Sequence, residues 1–201
     1  MRVAGSLWSV PPEELEEEAT RLADAGLDVW HWDCADGTIG PAGGFTPDAA
    51  RRLAAATGLR SEAHLMLADP RPHIDAWTSF CELVVVHVES PHWREAVALV
   101  HAAGQRAGLA ISPMGDVPTD LHPELAILVM TVTPGNAGTG FLADRLDILD
   151  GLGAHRLRGV DGSINVARAI DAHRHGANWI VSGTSLAGAP DPREWLGCLP
   201  L

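Results

Sequence analysis

Two histidines and two aspartates stand where strand-like apolar runs of the sequence end. The first run ends with His31 and Asp33, a second run carries His64, and a third carries Asp161. Side chains alternate faces along a strand, so His31 and Asp33 project from the same face. Two imidazoles and two carboxylates form a mixed nitrogen and oxygen set that suits a divalent transition metal. We therefore expect these four side chains to bind one such ion.

The elements that must position these residues follow from the hydrophobic pattern, in which strand-like runs alternate with helical ones. The strand candidates begin near Val3, Val29, Arg60, Leu83, Gly108, Ile127, Leu157 and Trp179. The helix candidates begin near Pro12, Thr46, Arg71, His92, Thr119, Leu142, Asn165 and Asp191. Eight strand–helix units in 201 residues predict an α/β fold, a (β/α)8 TIM barrel formed by residues 1–201 as a single compact domain. A doubly wound open sheet is the alternative, disfavoured because no G-x-G-x-x-G motif follows the first strand.

The composition excludes several classes of function. The chain is 46% hydrophobic and 20% charged, as globular domains are, and its net charge of −12 makes nucleic acid and anionic membranes poor partners. All 14 basic residues are arginine, which excludes a Schiff-base aldolase and a P-loop lysine. The cysteines are widely spaced, and neither a signal pattern nor a long apolar run is present, so we expect a cytoplasmic protein.

Glycine-rich segments follow the last three strand candidates, at residues 133–138, 162–163 and 182–185. Glycines let backbone N–H groups approach and point at an anion, and barrels commonly bind phosphate after their seventh and eighth strands. The segments therefore predict a phosphorylated substrate held by backbone N–H groups, since no arginine falls within them. The residues expected to contact it there are Gly135, Asn136, Ala137, Gly138, Gly162, Ser163, Gly183 and Thr184.

Other residues at strand ends are further candidates for substrate contact. His64 lies close to the expected reaction centre, and Met66 and Met130 are placed to wall off one side of a small molecule, although methionine is usually core filler. Ser9 is expected at the end of strand one, where it is either a helix N-cap or a substrate contact.

Two further groups of residues have more ordinary interpretations. His87 and Glu89 share a face of the fourth strand, and we interpret them as core or supporting residues rather than metal ligands. Trp8, Trp30 and Trp32 alternate with the functional face, so we expect all three to pack between the barrel wall and the helices.

Seven short segments of the sequence, taken in order along the chain, resemble the ribulose-phosphate 3-epimerase family. The matching residues are 6–9, 30–37, 64–66, 86–89, 128–135, 160–162 and 176–184, so the resemblance spans roughly residues 3–188. It implies a (β/α)8 barrel that inverts carbon 3 of a ketose phosphate and forms a homo-oligomer. It also implies that His31, Asp33, His64 and Asp161 bind zinc, iron, manganese or cobalt, and that Asp33 and Asp161 are the catalytic acid and base.

The implied mechanism depends on the metal and the two aspartates together. A proton beside a ketone is weakly acidic, and a metal near the carbonyl stabilises the enediolate formed when that proton leaves. One aspartate removes the carbon 3 proton from one face and the other returns a proton to the opposite face, which inverts the centre.

The chain departs from the family pattern around the expected pocket. Gly135, Asn136, Ala137 and Gly138 replace the usual Gly-Phe-Gly-Gly, Ser163 replaces a glycine, and Gly159 replaces a glutamate. Three functions therefore compete: a D-ribulose-5-phosphate 3-epimerase, a sister 3-epimerase for another ketose phosphate such as allulose 6-phosphate, and a barrel that binds a sugar phosphate without turnover.

Overall fold

A closed parallel barrel forms the centre of the protein, as the repeated units predicted. The computed structural model describes residues 1–134 and 140–200. The barrel strands are β1 (Arg2–Ser6), β2 (Val29–Ala35), β3 (Arg60–Met66), β4 (Leu83–His87), β5 (Arg106–Ile111), β6 (Ala126–Met130), β7 (Arg158–Asp161) and β8 (Trp179–Ser182). Each strand pairs in parallel with the next in the chain, and β1 pairs with both β2 and β8, which closes the barrel. A two-residue strand, Gly43–Gly44, adds an antiparallel pairing at the end of β2.

Helices surround the barrel. They are α1 (Leu15–Asp24), α2 (Pro47–Thr57), α3 (Ile74–Thr78), α4 (Trp93–Ala102), α5 (Asp147–Asp150), α6 (Val166–Arg174), α7 (Thr184–Ala187) and α8 (Pro192–Gly197). Short 3-10 turns, Pro12–Glu14, Arg71–His73 and Ala143–Leu146, precede α1, α3 and α5. Within the described ranges, none of these helices has the length and apolar character needed to cross a membrane.

One predicted helix is absent. The sequence pattern indicated a helix starting near Thr119, but residues 112–125, all of them described, form turns and irregular backbone between β5 and β6 without a helix. Pro113, Pro118 and Pro123 recur every five residues there. Each proline removes a backbone donor and clashes with the preceding turn, so a helix cannot extend between them. The prediction of a helix at Thr119 was therefore wrong.

Two apolar layers position the rim of the barrel. Trp30 and Trp32 point outward from β2 and are fully buried between the barrel and the helices, as expected. Inside the barrel, a smaller cluster that includes Leu128 and Trp179 fills the interior. Gly159 pairs directly with Trp179, and a Cβ at this glycine would lie 2.3 Å from the ring atom Cε3 of Trp179. The indole ring therefore occupies space that any larger residue at position 159 would need.

Candidate active site

The structure brings the two predicted histidines and two predicted aspartates together at the C-terminal rim of the barrel. His64 Nδ1 lies 3.0 Å from Asp33 Oδ1 and 3.6 Å from Asp161 Oδ2, and His31 Nε2 lies 3.4 Å from Asp33 Oδ1. One potential ligand atom from each of the four residues lies within 4.8 Å of all the others. Register explains the convergence, because Asp33 pairs directly with His64 across β2 and β3 while Asp161 ends β7.

His31 presents one ring nitrogen to this cluster. Its Nδ1 lies 2.7 Å from Oε1 of the fully buried Glu62, and because a carboxylate only accepts, Nδ1 carries the proton of that hydrogen bond. His31 Nε2 is buried and has no hydrogen-bond partner among the described residues. Histidines that bind metals usually donate their second N–H to a carboxylate in this way. The unpartnered Nε2 therefore fits a metal ligand.

His64 presents the opposite nitrogen, and its partners explain why. Glu89 Oε2 lies 3.0 Å from His87 Nδ1, which therefore carries a proton, and burial lowers the pKa of His87 to about 4, so its Nε2 is an acceptor. His64 Nε2 lies 2.8 Å from that acceptor and must donate to it. In the neutral ring, Nδ1 is therefore the nitrogen with a lone pair on the side of Asp33, and this is the form of His64 that binds a metal. Ligand atoms bound at about 2 Å to a common ion lie about 3 Å apart, which the contact between His64 and Asp33 matches. His87 and Glu89 thus support a candidate ligand, as the sequence indicated.

The electrostatics of the cluster also suit a cation. Burial opposes ionisation of Asp33, but His31 and His64 outweigh it and hold the pKa of Asp33 well below its usual range. Burial, reinforced by the charge of Asp33, raises the pKa of Asp161 to about 6. Although burial opposes its charge, His31 has a pKa well above its usual value because Asp33 and Glu62 stabilise the imidazolium. The cluster therefore retains protons when no metal is bound, and a divalent ion would replace that positive charge.

A cavity of about 250 Å³ opens beside the cluster. Its lining contains most of the residues expected to touch substrate: Ser9, Asp33, Met66, Met130, Asp161, Gly162, Ser163, Gly183 and Thr184. His64 is fully buried and does not belong to the lining. Gly135, Asn136, Ala137 and Gly138 lie outside the described residues, so their contacts stay predictions.

The described loops crowd closely around the cavity. Gly162 has a φ of +116°, and a Cβ there would lie 2.5 Å from Cγ2 of Val132, so only glycine fits without displacement. Ser9 lies three residues beyond the end of β1, not within the strand, and its hydroxyl is 3.0 Å from the hydroxyl of Thr184. The 3-10 turn that follows Ser9 has no side-chain cap, so the N-cap interpretation of Ser9 was wrong.

The lining also includes residues that the sequence interpretation did not assign to the site, and Ser6, Trp8 and Arg168 are three of them. Ser6 Oγ donates to Asp33 Oδ2 at 2.6 Å. The position of Ser6 at the end of a barrel strand was the feature of the sequence that could have identified it. Trp8 was expected to pack between barrel and helices, but it is half-buried in the cavity wall against Gly43–Gly44. β1 ends at Ser6, so strand alternation does not extend to Trp8.

Arg168 is the third addition. It lies in the first turn of α6, outside the glycine-rich segments in which basic residues were sought, and it reaches the cavity from there. Its Nη1 donates to the backbone oxygen of Ser163 at 2.6 Å. The feature of the sequence that could have identified Arg168 is an arginine three residues beyond a helix N-cap, where its side chain lies near the end of the barrel.

The fold and the rim define a (β/α)8-barrel protein with a candidate metal centre beside a pocket for a small molecule. Residues 2–187 match the model of the ribulose-phosphate 3 epimerase family, and the chain belongs to this family. The resemblance seen in the sequence motifs is thereby confirmed.

Named relatives agree with this assignment. The chain is 27% identical to the cytoplasmic isoform of ribulose-phosphate 3-epimerase from Oryza sativa subsp. japonica, over 98% of this chain and 92% of the relative. It is 28% identical to ribulose-phosphate 3-epimerase from Bacillus subtilis (strain 168), over 96% of this chain and 95% of the relative. Among solved structures, 3-hexulose-6-phosphate synthase from Salmonella typhimurium superposes with a TM-score of 0.76 at 14% identity, over 99% of this chain and 96% of that one. This last similarity concerns the fold alone.

Proposed function

We propose that this chain is a metal-dependent epimerase that inverts carbon 3 of a ketose phosphate, interconverting D-ribulose 5-phosphate and D-xylulose 5-phosphate. The observation that carries the proposal is the convergence of Asp33 and Asp161 on His64 Nδ1, at 3.0 and 3.6 Å, beside the cavity. Inversion requires proton exchange on two faces of one carbon, and two carboxylates at one centre can supply it. Family membership and the names of both relatives support the same reaction.

The metal would be held by His31 through Nε2, His64 through Nδ1, and a carboxylate oxygen from each of Asp33 and Asp161. This donor set suits zinc, iron, manganese or cobalt. When bound, such an ion stabilises the negative charge that develops on the substrate oxygens as the carbon 3 proton leaves. The ring nitrogens that remain are occupied by hydrogen bonds to Glu62 and His87, which fix both rings in place.

The proton transfers belong to Asp33 and Asp161. Ser6 donates to one oxygen of Asp33 while the other oxygen faces His64, so the orientation of this carboxylate is fixed at both ends. Asp161 is held less tightly, and its side chain is 17% exposed toward the opening. Met66 and Met130 give the adjoining cavity wall an apolar surface, which limits water beside the reacting carbon.

The phosphate group would lie against the glycine-rich loops. The proposed donors are backbone N–H groups of Gly162, Ser163, Gly183 and Thr184, which line the cavity, and of Gly138, which lies outside the described residues. A Cβ at Gly183 would lie 3.1 Å from the backbone oxygen of Ser6, so the loop after β8 packs tightly against β1. This crowding favours a substrate that places only a compact anionic group between the loops.

A deuterium-exchange assay tests the proposal. Metal-loaded protein is incubated in D2O with D-ribulose 5-phosphate, D-allulose 6-phosphate and unphosphorylated D-ribulose, and label at carbon 3 is followed together with inversion. The expected result is rapid exchange with inversion for D-ribulose 5-phosphate. Faster reaction with D-allulose 6-phosphate would identify the sister epimerase, whose case depends on the altered loop at Ser163. Tight binding without exchange of any compound would identify a non-catalytic sugar-phosphate-binding barrel.

Two further proposals concern the protein's setting. A cytoplasmic location agrees with the name of the rice relative, which is a cytoplasmic isoform. A homo-oligomer is proposed from the family resemblance, and light scattering after size-exclusion chromatography would measure it directly.

A further inference from the structure

Arg168 brings a positive charge to the loop end of the cavity. Of the described residues that line this cavity, it is the one with a basic side chain. Gly162, Ser163 and Gly183 lie on the same wall, whereas Asp33 and Asp161 bring carboxylates from the metal-cluster end. The cavity therefore has an acidic end and a basic end.

The guanidinium of Arg168 is held in place by several contacts. Asn165, the N-cap of α6, accepts the backbone N–H of Arg168 at 2.9 Å, which fixes the start of the side chain. The Cζ atom of Arg168 lies 4.6 Å from the ring centroid of Phe141, so the guanidinium packs over the aromatic face. One edge donates to the backbone oxygen of Ser163 at 2.6 Å. An arginine restrained in this way loses little conformational entropy when it binds a ligand.

The charge of Arg168 is not neutralised by a neighbouring acid. No carboxylate lies within 4.0 Å of its guanidinium in the part of the chain that the structure describes, whereas Arg174 in the last turn of the same helix has an Asp171 oxygen at 3.9 Å. A guanidinium has five N–H donors, and Ser163 accepts from only one of its nitrogens. Donors and charge therefore remain for a ligand in the cavity.

The contact with Ser163 also affects the backbone donors. Ser163 has a φ of +55°, a left-handed conformation that residues other than glycine rarely adopt. The family resemblance places glycine at this position, where the conformation costs nothing. The hydrogen bond from Arg168 to the Ser163 oxygen stabilises this conformation, and with it the direction of the adjoining N–H groups. One side chain thus supplies a charge and helps to maintain the amide geometry.

We propose that Arg168 binds the phosphate group of the substrate directly and determines the preference of this chain for phosphorylated over unphosphorylated ketoses. The inference rests on the proposed epimerase function and adds a cationic side chain to a subsite otherwise built from backbone N–H groups. Planar guanidinium groups match phosphate oxygens with paired hydrogen bonds. In a chain of net charge −12, such a local cation also offsets the repulsion of a phosphate dianion by the protein.

The test compares Arg168→Gln with Arg174→Gln, which removes the same charge from the exposed end of the same helix. Calorimetric titration of metal-loaded protein with inorganic phosphate measures the anion site without requiring turnover. Arg168→Gln should weaken phosphate binding roughly 10- to 100-fold, the loss typical of a charged hydrogen-bonding partner, and Arg174→Gln should change it by less than about twofold. In the exchange assay, Arg168→Gln should raise KM for the ketose phosphate by a similar factor and leave kcat and the KM for unphosphorylated ketose nearly unchanged.

The outcomes separate the two proposals. If no ketose is turned over, the epimerase proposal fails while the phosphate titration still tests Arg168. If turnover is normal and Arg168→Gln binds phosphate as wild type does, the role of Arg168 is refuted and the epimerase stands. A fall in kcat with unchanged KM would also refute it, because that pattern indicates only a structural role through Ser163. Should Arg168→Gln not fold, Arg168→Met replaces it, because methionine keeps an unbranched side chain that can pack against Phe141 but has no charge and no N–H donor. Phosphate affinity equal to wild type in this variant would overturn the proposal.

Discussion

Replacing Glu62 with glutamine should weaken both the barrel interior and the metal site. Glu62 is fully buried and accepts hydrogen bonds from three residues: Arg2 through Nε and Nη2 at 3.0 and 2.7 Å, His31 through Nδ1 at 2.7 Å, and Trp179 through Nε1 at 3.1 Å. Glutamine has the same shape but only one accepting oxygen. Whichever way its amide turns, the NH2 group faces donors that have lost their acceptor.

The size of the effect follows from counting those donors. If the amide oxygen faces Arg2, the N–H groups of His31 and Trp179 are left without an acceptor. If it faces His31 and Trp179, two N–H groups of Arg2 are left without an acceptor. Each buried donor without an acceptor costs about 1–3 kcal/mol, so Glu62→Gln should lower the free energy of unfolding by about 2–4 kcal/mol after partial relaxation. Loss of the carboxylate that orients His31 should also weaken metal binding about 10- to 100-fold.

Urea unfolding of metal-free protein measures the first effect, and competition with a chelating dye measures the second. Glu82→Gln is the matched control, because Glu82 also pairs with Arg2, at 2.7 Å, but its side chain is 33% exposed and no His31 contact links it to the metal cluster. We expect this control to lose less than about 1 kcal/mol and to bind metal normally. A Glu62→Gln protein with wild-type metal affinity would refute the inference that Glu62 fixes the ring nitrogen of His31 that faces the site.

Three further predictions concern the rim. Asp33→Asn and Asp161→Asn should each lower kcat by about 10²- to 10⁴-fold with a smaller change in KM, whereas Asp48→Asn, at an exposed position, should leave both constants unchanged. Deuterium exchange on protein of verified metal content measures this, and retained inversion in either rim variant would exclude the two-aspartate scheme. Gly162→Ala should destabilise the protein by about 2–4 kcal/mol in urea, because its Cβ would lie 2.9 Å from the backbone nitrogen of Val132 at a φ of +116°, and a smaller loss would mean that this loop moves aside. Burial raises the pKa of Asp161 from 3.8 to about 6. Its contribution to the stability of the metal-free protein, at most about 3 kcal/mol, is therefore complete below pH 3.8 and is lost as the pH rises through 6. The stability of Asp161→Asn relative to wild type should increase over that interval, and a constant difference would contradict the pKa shift.

The barrel and its metal cluster could be predicted from the sequence because strand alternation is a local property. His31 and Asp33 share a face by spacing alone, and the parallel register that places Asp33 opposite His64 follows once the barrel closes. Asp161 could be added because the C-terminal ends of all barrel strands meet at one rim. Strand alternation does not predict which nitrogen of His64 faces the cluster, because this depends on hydrogen bonds to His87 and, through it, to Glu89, which lies 25 positions further along the chain.

Residues that reach the site from outside the strands could not be predicted in the same way. Arg168 enters from a helix, so its approach depends on how α6 packs against the barrel and on the stacking partner Phe141. Trp8 lies beyond the end of β1, where alternation no longer applies. The helix predicted near Thr119 failed for a local reason, since three regularly spaced prolines outweigh an apolar pattern.

The contact between Gly159 and Trp179 constrains the order in which these two positions can change during evolution. The family resemblance places a glutamate at position 159, but its Cβ would lie 2.3 Å from the Trp179 ring, so that residue could not return while the indole is present. Losing Trp179 first would leave a cavity of indole size and remove a donor to Glu62. Each single change is therefore expected to be deleterious, so the effect of a substitution at either position depends on the residue at the other. An ancestor with a small residue at both positions could acquire the tryptophan without this clash. Reconstructed sequences of the family would reveal whether the glycine preceded the tryptophan.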